Sequence, residues 1–150
     1  MLVSPHAAVG AAIGALIPNP LVAVPLALGS HYFLDTVLHW QETLAPYTPS
    51  KKTYLRISLD IPLALGITTL IAYWNPLQTP LIWAGALAGT LPDLDALLVQ
   101  VPFFLRKGII KMYWDWHCKI QNETGEWRGV WPQLAVIALA LTVSYGLRFL

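Results

Sequence analysis

The feature that most restricts this chain is a succession of apolar segments divided by short polar or proline-bearing breaks. Several of these segments approach the ~20 residues that a helix needs to cross a bilayer. Of the 150 residues, 56% are hydrophobic and only 11% are charged, against roughly 25% charged in an ordinary soluble domain. A soluble fold built from this composition would have too little polar surface. No linker, charge block, low-complexity tract or repeat divides the sequence, although residues 41–52 interrupt the apolar pattern once. The whole chain, 1–150, therefore reads as a single integral membrane domain.

Hydropathy and breakers predict helices over residues 4–17, 21–40, 54–74, 80–99 and 130–147. The first is rich in Gly and Ala and ends at Pro18-Asn19-Pro20, because proline disfavours helix at the residue before it. It is short, at roughly 20 Å for a rise of 1.5 Å per residue. The fourth is interrupted at Leu91-Pro92. Residues 103–121 carry Arg106, Lys107, Lys111, Asp115 and Lys119 among aromatics, which suits a helix lying in the interface. The fold class is thus all-α, a polytopic bundle of about four membrane segments plus an interfacial amphipathic helix and a C-terminal span. Small residues at Gly10, Ala11, Ala12 and Gly14, and from Ala84 to Gly89, mark faces where helix backbones can approach closely. Most of the tryptophans sit at predicted span ends, as an aromatic belt requires.

If the spans alternate, Lys51, Lys52, Arg56, Arg106, Lys107, Lys111, Lys119 and Arg128 fall on one side and Arg148 on the other, so the first side is cytoplasmic. The start lacks the basic n-region of a secretory signal, and helix one is expected to be retained. The net charge of +1 and the absence of a basic aromatic stripe exclude nucleic acid as a partner. The lone Cys118 excludes an internal disulfide and offers no thiolate pair for a metal. No nucleophile elbow, P-loop, dinucleotide fingerprint or His-Glu-x-x-His is present.

Chemistry is concentrated in the histidines and aspartates, since ionisable groups in membrane spans are costly and take partners. His31, Asp35 and His39 follow one another at i, i+4 and so share a helix face. They extend over about 12 Å, too far for one metal to hold all three. The topology drawn from lysine and arginine alone places His6, His39, Asp60, Asp93, Asp95 and His117 in the same half of the membrane. The predicted metal ligands are His6, His31, Asp35, His39, Asp93, Asp95 and His117, with Asp60 supporting a histidine from behind or pairing with Arg56. Taken singly, Pro92-Asp93-Leu94-Asp95 also fits a helix start, His6 a cap, and His117 an interfacial anchor between Trp114 and Trp116. Mixed His and Asp donors suit a divalent metal, zinc foremost, with manganese and iron as the alternatives.

Pro5-His6 leading into a Gly/Ala helix, Ser30-His31-x-x-Leu34-Asp35, and Gly89-Thr90-Leu91-Pro92-Asp93-Leu94-Asp95 together resemble the bacterial family of inner-membrane metal-dependent hydrolases. The likeness covers most of the chain through short motifs. In that family the Pro-Asp-x-Asp segment precedes the Ser-His-x-x-x-Asp segment and is followed by a His-Arg-Gly-x-x-His-Ser stretch; here the order is reversed and that stretch is missing. The family is more remotely similar to zinc-dependent phospholipase C and single-strand nucleases, in which His and Asp from several helices hold zinc. The resemblance implies metal ligation by His6, His31, Asp35, Asp93 and Asp95, hydrolysis of phosphoesters or lipid head groups, and residence in a bacterial or archaeal cytoplasmic membrane with the cluster towards the cytoplasm. The rival expectation is a non-catalytic membrane protein whose His/Asp cluster is structural glue or part of an ion path.

Overall fold

The computed structural model describes residues 1–41, 50–95 and 108–149. Among the described residues the architecture is all-helical. The helices are α1 (Val3–Leu16), α2 (Pro20–Thr36), α3 (Lys51–Trp74), α4 (Thr79–Thr90), α5 (Ile109–Ile120) and α6 (Glu126–Gly146), with 3-10 turns at Pro76–Gln78, Leu91–Asp93 and Leu147–Phe149. A lone parallel bridge joins His39 to Glu123.

Helix α1 occupies the middle, packed against α2, α3, α4 and α6. It is apolar on every side, which is what a helix surrounded by protein requires. The core is built mainly from small side chains, Ala7, Ala8, Ala11, Ala15, Ala64 and Ala86 among them, with Ile67, Ile71 and Ile82. Large apolar side chains lie on the outside instead, including Leu21, Tyr73, Leu77 and Trp127 at 84%, 78%, 90% and 84% exposure. The predicted small-residue faces meet where α1 crosses α4: a Cβ built on Gly10 would stand 2.2 Å from the Gly85 carbonyl oxygen, and one on Gly14 would stand 2.2 Å from that of Leu81. Only glycine lets the two backbones approach this closely.

Two helices are long and apolar enough to cross a membrane by length and composition, Lys51–Trp74 and, continued through its last turn, Glu126–Phe149. Helices α1, α2 and α4, with 14, 17 and 12 residues, are shorter. The predicted bounds shift for local reasons. Helix α2 stops at Thr36 rather than residue 40 because the chain beyond it pairs with residues 122–124: the His39 amide donates to the Asn122 carbonyl (3.0 Å) and the Thr124 amide to the His39 carbonyl (2.8 Å). Helix α3 begins earlier than residue 54, since the Ser50 side chain caps it by accepting from the Thr53 amide at 3.1 Å. Helix α6 also starts a turn early, at Glu126. The predicted continuations over 96–99 and 103–107 lie outside the described residues.

Helices α2 and α4 run against α1, while α3 and α6 run with it. The starts of α1 and α3 are tied together because the Asp60 carboxylate accepts from the Val3 and Ser4 amides, at 2.7 and 3.3 Å, while Arg56 on α3 pairs with Glu126 at the start of α6 at 2.7 Å. At the opposite end Asn75, after α3, donates to the Ser144 carbonyl of α6 at 3.0 Å. Gly85→Ala is expected to force α1 and α4 apart and to destabilise the fold by about 1–3 kcal/mol, the usual cost of overpacking. Gly66→Ala, whose Cβ would meet nothing within 4 Å, is expected to be neutral or to stabilise α3 by about 0.5–1 kcal/mol; thermal unfolding in mild detergent checks both.

Candidate metal centre

Four of the predicted ligands converge at one end of the bundle. His31 and Asp35 project from successive turns of α2, Asp93 closes the 3-10 turn after α4, and His117 comes from α5. One ligating atom from each lies within 4.8 Å of all the others. His31 Nε2 stands 3.1 Å from His117 Nε2, 3.1 Å from Asp35 Oδ2 and 3.6 Å from Asp93 Oδ1, and His117 Nε2 stands 2.9 Å from Asp35 Oδ2. Donors arranged tetrahedrally about zinc at ~2.0–2.2 Å have edges of roughly 3.3–3.6 Å. The four separations among these atoms lie within about 0.4 Å of that range, and the whole group lies within 4.8 Å.

The far side of each imidazole decides what its near side can do. His31 Nδ1–H donates to the Gly89 carbonyl at 2.8 Å, and His117 Nδ1–H donates to Asp95 Oδ2 at 2.7 Å. The Gly89 carbonyl can only accept, which turns His31 Nε2 inwards, while His117 has a carboxylate at each ring nitrogen, Asp95 at Nδ1 and Asp35 at Nε2. Something positive must stand among them, either a proton or a metal ion. Burial pulls the His117 imidazole down, but its hydrogen bonds to Asp35 and Asp95 outweigh that and raise its pKa to about 9. In the metal-free protein the proton on His117 Nε2 is thus the cation that an incoming metal must replace.

The other predicted ligands take different positions. His6, on α1, is completely buried and stacks on His31 with ring centroids 3.9 Å apart. Its Nε2 is 3.2 Å from Asp35 Oδ1 but off the line of a hydrogen bond, and both ring nitrogens lack a hydrogen-bond partner. Asp95 is not one of the four; it orients His117 from behind, a role sequence spacing did not separate from ligation. His39 leaves the face of His31 and Asp35 because α2 ends before it; its Nδ1–H donates to the Val37 carbonyl at 2.7 Å, and its buried Nε2 has no partner. Asp60 caps α1 by accepting from the Val3 and Ser4 amides, where the free amides of a helix start need an acceptor. The Met1 amino nitrogen, 2.6 Å from Asp35 Oδ1, completes the buried surroundings of that carboxylate.

The sequence reading overlooked a pair of phenols. The Tyr32 and Tyr113 hydroxyls are 2.9 Å apart. The Tyr32 ring meets His31 edge-on at 5.4 Å, and that of Tyr113 lies 5.6 Å from His117. Tyr32 adjoins His31, and Tyr113 precedes His117 by four residues on one helix, a spacing that marks them as neighbours.

No family model matches the chain, and no curated protein or solved structure matches it. Reading the centre therefore depends on its chemistry.

Because metal and proton compete for His117, zinc affinity is expected to rise about tenfold per pH unit between pH 7 and 9 and to level off above that. A chelator competition series checks this. The sign for folding is opposite: a raised pKa stabilises the metal-free protein below the unfolded value of ~6.5, and this contribution is lost as pH rises through about 9. Asp95→Asn is expected to weaken zinc binding by about 10–100-fold and to move the levelling point to lower pH.

Proposed function

We propose that this chain is a polytopic membrane metalloprotein with a divalent ion, zinc by preference, held by His31, Asp35, Asp93 and His117, and that it hydrolyses phosphate esters such as those of lipid head groups. The observation that carries this reading is the approach of His31 Nε2 and His117 Nε2 to 3.1 Å beside the Asp35 carboxylate, each imidazole tied by its Nδ1–H to a fixed acceptor.

The membrane part rests on the inverted distribution of side chains, alanine within and large apolar groups outside, and on two helices long enough to span. The basic residues Lys51, Lys52, Arg56, Lys111, Lys119 and Arg128 belong to the elements that start or end beside the centre. The positive-inside rule then puts the centre on the cytoplasmic side of the cytoplasmic membrane of a bacterium or archaeon, as the motif resemblance implies.

An ion bound in this set would supply Lewis acidity, polarising a phosphoryl oxygen and acidifying a water near pH 7. The protein's own groups do the rest. Asp35, wholly buried, holds His117 Nε2 in register; Asp93, the only one of the four with appreciable exposure, at 24%, borders the open side of the centre. The second reading, a structural cluster, is favoured by the fact that Asp35 already answers the Met1 amino group and His117.

Metal content separates the two. Protein purified in mild detergent is expected to carry, or to take up, at least one equivalent of zinc, and His31→Ala and Asp35→Asn are expected to lose it while remaining monodisperse. A wild-type protein that neither contains nor binds zinc, manganese or iron sinks the metalloprotein reading; variants that simply fail to fold favour the structural one. Zinc-loaded protein is then to be assayed on phosphodiester and phospholipid substrates.

A further inference from the structure

Helix α5 supplies His117 to the centre yet shares little with the interior of the bundle. Among its 12 residues only His117 is buried, and none of them belongs to the apolar core. Its hold on α2 is polar and aromatic. His117 meets His31 and Asp35, the Tyr113 hydroxyl meets that of Tyr32 at 2.9 Å, and the Trp116 ring lies 5.2 Å from that of Tyr32. Beyond the last turn the Asn122 amide donates to the Asp35 carbonyl at 2.9 Å and fastens that end. A helix this short has little stability of its own and is ordinarily held by burying an apolar face.

Helix α5 has such a face, and it points away from the protein. Ile109, Met112 and Trp116 follow one another at i, i+3 and i+7 and so form one stripe; they are 74%, 66% and 47% exposed. Tyr113 and His117, on the docked side, border the stripe along one edge, and Lys119 borders it along the other. No other described helix is as amphipathic. The stripe runs on into the exposed Leu91 and Leu94, which share a cleft with Ile109, and so joins the apolar exterior of the bundle. Exposed cations stand at the same end: Lys51 and Lys52 at the start of α3, Lys111 and Lys119 on α5, and Arg128 in the first turn of α6. An apolar stripe that contains a tryptophan, is edged by lysine and continues a lipid-facing exterior fits an anionic lipid–water boundary. A second copy of the chain fits it poorly, because the exposed acids Asp115, Glu123 and Glu126 already answer Lys111, Gln41 and Arg56.

We infer that the apolar stripe of α5 docks on anionic lipid at the bilayer boundary, and that this contact seats the helix that delivers His117, so that lipid and metal bind cooperatively. The inference rests on the reading of His31, Asp35, Asp93 and His117 as a metal centre and adds what governs its occupancy. Both ligands favour the seated helix, the ion through His117 and the bilayer through Ile109, Met112 and Trp116. Linkage makes the effect reciprocal: lipid raises metal affinity by the factor by which metal raises lipid contact. The apparent affinity for metal reaches its intrinsic value only as the seated fraction approaches one.

The test uses full-length protein in nanodiscs of dioleoyl phosphatidylcholine, with and without phosphatidylglycerol. Hydrogen exchange over residues 109–120 is followed together with zinc affinity from a chelator competition. In metal-free protein phosphatidylglycerol is expected to slow exchange across α5 about tenfold, and it is expected to tighten zinc binding by about the same factor. Lys119→Gln is expected to cut both responses about 3–5-fold. Ile109→Gln and, independently, Met112→Gln are expected to speed exchange and weaken zinc binding about 3–10-fold in either bilayer, with full zinc stoichiometry and wild-type protection of α5 regained at saturating metal. Exchange of α5 that ignores lipid charge overturns the inference, as does zinc affinity that stays constant while exchange responds. Protection that follows protein concentration rather than lipid charge assigns the stripe to a second copy and overturns it too. Protein that takes up no metal in either bilayer overturns the centre and the coupling with it, a failure told apart by a lipid response of α5 that persists without metal.

Discussion

A carboxylate with no exposure to solvent, placed in an apolar bundle, has to be answered by other groups, and Asp35 is answered from three directions. The Met1 amino group and His6 approach Oδ1 from the start of α1, His31 approaches Oδ2 from its own helix, and His117 does so from α5. Isolated charge in such surroundings is too costly to persist. The position of α1 in the middle of the bundle, the docking of α5 on α2, and the orientation of the rings around the centre all satisfy this one demand. The partners have partners in turn: Asp95 and the Gly89 carbonyl take the remaining N–H groups of His117 and His31, which leaves the inward-facing nitrogens as donors to a cation.

Such a cluster can form only because the helices beside it come unusually close. The Gly10–Gly85 and Gly14–Leu81 contacts draw α1 onto α4, and Gly89, whose Cβ would lie 2.7 Å from the His6 carbonyl oxygen, keeps the last turn of α4 against the first turns of α1. The same close approach sets the Gly89 carbonyl beside His31 and carries the chain into the Leu91–Asp93 turn that delivers Asp93. Packing of small residues and chemistry of the site are thus one arrangement: backbone contact in the interior brings the turns that carry the ligands to a common end.

The comparison of sequence with structure is instructive at particular residues. His31 and Asp35 lie on one face, as their spacing requires, but His39, the third residue in the same register, does not, because pairing of the chain with residues 122–124 ends α2 first. Asp60 reads equally as partner to a histidine or to Arg56 until the amides at the start of α1 are seen to need it. Asp93 and Asp95, two residues apart, are indistinguishable in sequence, yet the 3-10 turn sends one to the centre and the other behind His117. Tyr113 was legible through its four-residue offset from His117, which puts the two on one helix face.

What the sequence determined by itself is therefore everything carried by consecutive residues: the helical class, the apolar segments, the glycine and alanine faces, and the shared face of His31 and Asp35. These follow from hydropathy and from the 3.6-residue period. Only the tertiary structure decided which distant groups close the centre, since His31 and His117 are 86 positions apart and meet only when α5 docks on α2. Likewise only the structure showed which groups could face an ion and which lie behind them, because that distinction rests on which ring nitrogen faces inwards, and this is set by a hydrogen bond from a different helix rather than by any spacing along the chain.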